Sequence, residues 1–357
     1  MERKLRIFTP IIEDSGVGFY RIAQPTKNFA EKEKAYVMSS PFTGQMQIKD
    51  IDGGLLEQGA KWADIIFMNT AKDARMLVTI MALRDWQRKK LVIDVDDNLI
   101  NLDPDHPSYK AYTDPQKNPS LFAQKSLMYA DMVVVSTEYL KGFYGDLNKN
   151  IYVNPNSIDF KIWKHKKKKH KKLRIGWAGA AGHKENLEMV AKPLQKIKKK
   201  YKNVDIVTFG EIPRGFKSDW HKKWVPFAKY SKTYANLGFD IIIAPLRDSR
   251  YNRAKSNLRL IEAGALKIPA VASPVEPYKN FPCLYAKEEE DWFNQLEKLI
   301  KDRTLRNKIG RMAYQEVKEK YEINKNSEAL LKKFQQLTKR KWIDRRPLIP
   351  RYSEVRQ

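Results

Sequence analysis

The stretch Tyr251–Ser273, YNRAKSNLRLIEAGALKIPAVAS, gathers residue types suited to handling a phosphorylated ligand. A strand-like run, FDIIIAPL, precedes it, and the loop RDSRYNRAKS leaves that strand's carboxyl end. Ser256 is placed to N-cap the helix NLRLIEAGAL. The free N–H groups of the first turn, from Asn257 onward, would then join the positive end of the helix dipole in an anion seat. Arg253 and Lys255 add full charges beside it, so a phosphate or diphosphate is the natural occupant. Glu262 lies six residues after Ser256, nearly two helical turns on. From there its carboxylate can accept two hydrogen bonds from a vicinal diol such as a ribose. The plainer alternative is a helix start with solvated cations and an acid that caps a neighbouring strand.

A second cluster is VIDVDDNLINLDPDHP, where Asp94, Asp96 and Asp97 crowd the end of a strand. Like charges so close resist joint ionisation, which would raise one pKa and suit Asp96 or Asp97 to act as base or hydroxyl acceptor. The spacing also matches a metal-binding DxD, and an acid-capped structural loop is the alternative. Gly16, Val17 and Gly18 sit in a loop after the first strand, where glycines let a backbone approach a ligand closely. A tight turn explains them as well. His106 and His183 are the histidines nearest strand ends, and His183 begins a helix where it could meet a phosphate or a sugar hydroxyl. There is no GxSxG elbow, no GxxxxGK[ST] loop and no HExxH. GWAGAAG follows a strand, but no acid stands out to hold a dinucleotide ribose, so a dehydrogenase reading carries little weight.

The elements that must position these residues alternate regularly. LRIFTP, ADIIFMN, KLVIDVDD, ADMVVVST and IYVNPN read as strands, with helical segments such as DARMLVTIMALRDWQRK between them. The basic run KIWKHKKKKHKK, residues 161–172, holds eight Lys and two His and reads as a linker. The pattern then restarts with LRIGWAG, VDIVTFG, FDIIIAPL and IPAVASP. Helices include NLEMVAKPLQKIKKKY and NLRLIEAGAL, and two more, DWFNQLEKLIKDRTLRNKIGRMAYQEVKEKY and NSEALLKKFQQLTKRKW, close the chain before a basic tail. Strand–helix alternation of this kind predicts α/β architecture with two doubly wound, Rossmann-like domains in tandem. The expected boundaries are 1–160, a linker at 161–172, 173–335, and a segment 336–357 that crosses back toward the first domain. In open sheets of this kind the ligand site lies outside the carboxyl ends of the strands.

The chain has 357 residues, 42% of them hydrophobic and 11% aromatic, enough for two cores. No apolar run reaches the roughly 18–20 residues of a membrane span. The N-terminus MERKLRIFTP shows no signal-peptide pattern, and the single Cys283 fits a reducing compartment and excludes an intramolecular disulfide. The expectation is a soluble, cytoplasmic protein. The net charge of +26 is uneven: residues 1–160 carry 20 Lys+Arg against 21 Asp+Glu, and residues 161–357 carry 48 against 21. That asymmetry points to a polyanionic partner or, more plainly, to a lysine-rich solvated surface.

YNRAKSNLRLIEAGALKIPAVASP resembles the nucleotide-sugar-binding segment of retaining glycosyltransferases of the GT-B fold, the glycogen-synthase-like (family 4-type) group. GVGFYR, ADMVVVSTEYL, NPNSID, IGWAG and FDIIIAPL fall in the order that the group shows, so the resemblance spans nearly the whole chain. It implies two Rossmann-like domains facing a central cleft, with the donor held mainly by the second and the acceptor by the first. It implies a nucleotide-sugar co-substrate, a UDP-sugar being favoured, with no further cofactor and no metal, since DxD enzymes belong to another fold. It implies donor contacts at Arg253, Lys255, Ser256, Asn257, Glu262 and His183, with Gly16, Val17 and Gly18 across the cleft. Asp96, Asp97 and Lys255 are the catalytic candidates. The group carries a Glu eight residues before the position of Glu262, where it touches the transferred sugar, and here Ala254 stands. Asn252, Arg253 and Lys255 are placed to take over part of that role. Ser157 replaces a usual Gly in NSID.

For the acceptor, basic residues interleave with Trp220, Trp224, Phe227 and Tyr230 in RGFKSDWHKKWVPFAKYSK, as suits a phosphate backbone with aromatic contacts. Lys217, Lys222, Lys223, Trp224, Arg345 and Arg346 are the candidate polyanion contacts. Hydroxymethylated bases in DNA are the favoured acceptor, by analogy with viral DNA-modifying transferases of this fold. A cell-envelope glycan or lipid-linked acceptor and an anionic membrane surface stand as alternatives. A non-catalytic nucleotide-binding descendant is a third reading.

Overall fold

A computed structural model describes residues 3–10, 15–39, 53–100, 102, 104, 109–114, 117–164, 168, 170–180 and 184–345. The chain divides into two compact units, one formed by Met1–Pro155 with Ile323–Gln357 and the other by Asn156–Glu322.

The first unit is built on six strands, β1 (Leu5–Thr9), β2 (Ala35–Ser39), β3 (Ile65–Asn69), β4 (Lys90–Val95), β5 (Met132–Val135) and β6 (Ile151–Val153). They form one sheet in the order β2-β1-β3-β4-β5-β6, and every pairing is parallel. β3, β4 and β5 are buried along their whole length, which is why they read as unbroken apolar runs and not as alternating ones. β2 escaped the sequence reading because AYVMS is short, follows a charged turn and is only partly buried.

The second unit has its own six-stranded parallel sheet: β7 (Leu173–Gly179), β8 (Val204–Gly210), β9 (Trp220–Lys222), β10 (Ile241–Ala244), β11 (Ala270–Ala272) and β12 (Leu284–Tyr285). Its order is β12-β11-β10-β7-β8-β9. The order reverses between β7 and β10, the switch point at which such sheets open a crevice. β9 and β12, of three and two residues, are too short to show any periodicity.

Two boundaries differ from expectation. The basic run does not separate the units: Trp163 is buried, Lys168 donates its backbone N–H to Ala235 O, and the chain passes into the second unit at Asn156. The return begins earlier than residue 336. The whole helix Ile323–Thr338 belongs to the first unit, where Leu330, Leu331, Phe334 and Leu337 enter the core. Phe334 meets Phe29 and Phe67 edge-on, and Ser327 Oγ donates to Asn28 Oδ1 at 2.6 Å. The long segment ahead of it is two helices, Glu289–Lys301 and Arg303–Lys320, because Asp302 ends the first and caps the second by accepting from Leu305 N. NLEMVAKPLQKIKKKY likewise divides into Lys184–Glu188 and Ala191–Lys200. Among the described residues no helix is long and apolar enough to cross a membrane.

Asp94 corrects the picture of three crowded carboxylates. Its side chain is fully buried and bound by Arg21, equally buried, through Nε at 3.1 Å and Nη2 at 2.8 Å. Arg21 Nη1 also donates to Asn154 O at 2.5 Å. Burial pushes the Asp94 carboxyl up, and the Arg21 charge and hydrogen bonds oppose it. The pair pins the helical segment Gly18–Ala23 to the middle of the sheet. Removing one member strands the other in a low-dielectric interior. Asp94→Ala is therefore expected to cost about 3–5 kcal/mol in a urea unfolding titration, and Arg21→Met with Asp94→Leu to recover much of that loss. An effect of Asp94→Ala under about 1 kcal/mol would show that the pair is not structural.

Candidate functional site

β10 ends at Ala244, and the loop after it is held from both sides: Leu246 N donates to Ser273 Oγ at 2.9 Å and Arg247 N to Asn186 Oδ1 at 2.9 Å. A short helix, Arg250–Arg253, follows, with Ser249 Oγ accepting from Asn252 N. The chain then enters the helix Leu258–Ala265.

Its N-cap is Asn257, not Ser256, and no side chain caps it. Ser256 Oγ instead accepts from Asn156 Nδ2 at 2.8 Å, and Asn257 Nδ2 donates to Tyr321 OH at 2.8 Å. Both polar side chains thus tie the helix start to the segments where the chain enters and leaves this unit, while the first-turn N–H groups keep no side-chain acceptor of their own helix. Lys255 is buried, with Nζ donating to Tyr251 OH at 3.2 Å and lying 4.3 Å from that ring's centroid. Ala254, at the position of the group's first Glu, is fully buried. Arg253 is exposed and bound to Asp248 through Nε at 2.6 Å and Nη2 at 3.0 Å. Arg253 holds the Asp248 carboxyl below its usual range.

Glu262 is buried, and its Oε2 accepts from Tyr230 OH at 3.1 Å. Burial first, and then the Glu262 charge, pushes the Tyr230 hydroxyl well above its ordinary value, so Tyr230 stays a donor. The carboxylate is held in place by an aromatic hydroxyl.

Sequence reasoning missed Arg259. Within an amphipathic helix it reads as one more solvated cation, yet it is only 7% exposed. Its Nη1 is buried with no hydrogen-bond partner among the described residues, and the guanidinium carbon lies 5.5 Å from the Trp177 ring centroid. Gly179, the last residue of β7, leaves the space it occupies, since a Cβ there would lie 2.9 Å from Arg259 Nη2 and 2.6 Å from Trp177. Gly210, at the end of β8, has φ +99°, and a Cβ there would collide with Gly179 O. A buried guanidinium nitrogen with no hydrogen-bond partner among the described residues and the N–H groups of a helix start thus meet at the carboxyl edge beside the β7/β10 switch point, a geometry that favours an anion.

The remaining candidates lie elsewhere. Gly16, Val17 and Gly18 open the helical segment of the first unit, where Gly18 N donates to Ser15 Oγ at 3.1 Å. Asp96 and Asp97 follow β4 and are half-buried; their backbone carbonyls accept from Ser136 Oγ and Tyr144 OH. Lys217, Lys222 and Lys223 are exposed on and around β9. Trp220 is 58% and Trp224 38% exposed, but Phe227 and Tyr230 are buried and Trp224 stacks on Phe209, so only part of the expected aromatic face meets solvent. Arg345 is a structural residue of the first unit, with Nη1 donating to Met128 O at 3.2 Å and Nε 3.8 Å from Asp131. His106, His183 and Arg346 lie outside the described residues. Among the described residues no group of three or more His, Cys, Asp or Glu is placed to hold a metal ion.

Two parallel α/β units, each with a six-stranded sheet whose strand order reverses, define a class: the fold is that of the GT-B glycosyltransferases. Residues 190–332, nearly all in the second unit, match a family model described as glycosyl transferase-like. HepE of Anabaena, in complex with UDP-glucose, is similar over 93% of this chain and 100% of its own, with 12% identity and a TM-score of 0.66. Sucrose-phosphate synthase of Thermosynechococcus elongatus is similar over 94% of this chain and 99% of its own, with 12% identity and a TM-score of 0.65. A glycosyltransferase of Rickettsia africae is similar over 95% of this chain and 100% of its own, with 13% identity and a TM-score of 0.62. No curated protein matches by sequence.

If Arg259 has no partner in the folded chain, its removal should not destabilise it. Arg259→Met is expected to leave the unfolding free energy unchanged or to raise it by about 1–2 kcal/mol. A thermal melt showing a loss of several kcal/mol would make the guanidinium a structural element instead.

Proposed function

We propose that the chain is a nucleotide-sugar-dependent glycosyltransferase, retaining in stereochemistry, that uses a UDP-sugar as donor. The observation that carries this is the buried guanidinium of Arg259 at the start of the helix Leu258–Ala265, whose Nη1 has no hydrogen-bond partner among the described residues. In transfer, the bond between the anomeric carbon and the diphosphate oxygen breaks with its electron pair staying on the phosphate, the acceptor hydroxyl oxygen bonds to that carbon, and the hydroxyl proton passes to the released diphosphate. Arg259, Lys255 and the first-turn N–H groups are suited to stabilise that charge as it develops. Glu262, oriented by Tyr230, suits a ribose diol. HepE, bound to UDP-glucose on the same fold, supports the donor class.

The favoured acceptor is a polyanion, and within that class hydroxymethylated bases in DNA. Exposed Lys217, Lys222 and Lys223 beside Trp220 support it, through backbone neutralisation that should weaken steeply with salt. Lysines on β9 also shield an unpaired sheet edge, which is their competing purpose. Ala254 favours a second reading, nucleotide binding without turnover, because the group's sugar-contacting carboxylate is missing and the position is closed.

Release of nucleoside diphosphate from a panel of sugar nucleotides tests these readings, with no acceptor, plain duplex DNA or hydroxymethylpyrimidine duplex present. The expected result is release stimulated by the hydroxymethylated duplex alone. Slow release indifferent to DNA would keep the transferase and redirect the acceptor to a glycan or lipid-linked sugar, and bound nucleotide without release would favour the binding-only reading. Arg259→Met is expected to weaken UDP binding roughly 10- to 100-fold; unchanged affinity would remove Arg259 from the donor site.

A further inference from the structure

The first unit holds a cavity of about 520 Å³ whose lining is dominated by cations: Arg3, Arg88, Lys89, Lys90, Lys339 and Arg340. It lies at the amino-terminal edge of the sheet, since Lys90 and Leu5 are the first residues of β4 and β1 and Asp64 immediately precedes β3. The Gly16–Gly18 and Asp96–Asp97 segments leave the opposite, carboxyl-terminal edge.

Part of this charge has a local explanation. Helices end at this edge, and Lys89 Nζ donates to Lys61 O and Lys90 Nζ to Lys341 O, both at 2.9 Å. These bonds leave the Arg88 and Arg340 guanidiniums with no carbonyl or carboxylate partner among the described residues. The one acid in the lining, Asp64, is already shared by Arg3 at 2.6 Å and Arg6 at 3.5 Å. Burial pulls Lys89 and Lys90 down; Asp64 opposes this for Lys89 and Asp131 for Lys90, while neighbouring guanidiniums add to it, Arg6 and Arg3 for Lys89, and Arg84, Arg345 and Arg340 for Lys90. Arg88 lies over the Trp342 ring of the same wall, 5.9 Å from its centroid.

We propose that this cavity is a binding site for a compact ligand bearing two or more phosphate groups. Its volume of about 520 Å³ is that of a site for a compact ligand. Two or more phosphates match guanidiniums and ammoniums that converge from β4, the chain start and the end of the helix Ile323–Thr338, where one carboxylate would leave most of them unmatched.

The test is calorimetric titration of inorganic tripolyphosphate into the full chain at about 0.1 M salt, where surface charges are screened beyond about 10 Å. Two double variants accompany it: Lys339→Gln with Arg340→Gln in the cavity, and Lys192→Gln with Lys196→Gln as a charge-matched control on the second unit. Arg259→Met separates this site from the donor site. The expected result is a site, separate from any that Arg259→Met weakens, whose affinity falls roughly tenfold or more in the cavity variant and is unmoved in the control and in Arg259→Met. No binding, an equal loss in the control, or a loss confined to Arg259→Met would each overturn the proposal. Parallel titrations with duplex DNA and with vesicles containing an anionic phospholipid complete it. Binding of either through Lys339 and Arg340 without binding of tripolyphosphate would also overturn it and assign this face to a macromolecule.

Discussion

Parallel strands force every connecting helix to return antiparallel to them, so the helices of one sheet begin at the same edge. That edge collects helix amino ends with their unsatisfied N–H groups, and it is where the chain must leave each strand through a loop. In the second unit the strand order reverses at β7 and β10, so the loops after these two strands diverge and leave room between them. The helix Leu258–Ala265 starts beside that room. The electrostatic character of the site follows from topology before any side chain is considered, and Arg259 and Lys255 reinforce a polarity that is already there.

Three buried arginines show how the same residue serves different ends. Arg21 and Arg84 are both fully buried, and each faces a carboxylate, Asp94 and Asp131, at 2.8 Å. These pairs tie segments of the first unit together. Arg259 is buried nearly as deeply, but its Nη1 has no partner among the described residues, and Trp177 supplies only a stacking face. A charge left in that state is costly unless a ligand completes it, which is why a stability measurement and a binding measurement should move in opposite directions on its removal.

The sheet interior was legible because parallel strands covered on both faces must be apolar throughout: KLVIDV, MVVV and IIIA announce themselves. The site was legible in outline, since a strand, a polar loop and an amphipathic helix can be ordered from composition alone. Its details depended on contacts distant in sequence. Ser256 looked like the cap until Asn156, 100 residues away, took its hydroxyl. Arg253 looked like an anion ligand, but Asp248 five residues earlier engages it. Arg259 was invisible because nothing local distinguishes a buried arginine from an exposed one. The unit boundary was missed because only Tyr321 and Glu322 separate the helices on either side of it, whereas the lysine run that looked like a linker sits beside a buried Trp163.

The central claim is that a nucleoside diphosphate is held where β7 ends and the helix Leu258–Ala265 begins. Hydrogen–deuterium exchange of the full chain, with and without UDP, tests it without assuming an acceptor or a turnover. The account predicts slowed exchange in the amides of Trp177–Gly179 and Ser256–Glu262. Slowed exchange confined to other segments, or none at saturating UDP, would contradict it.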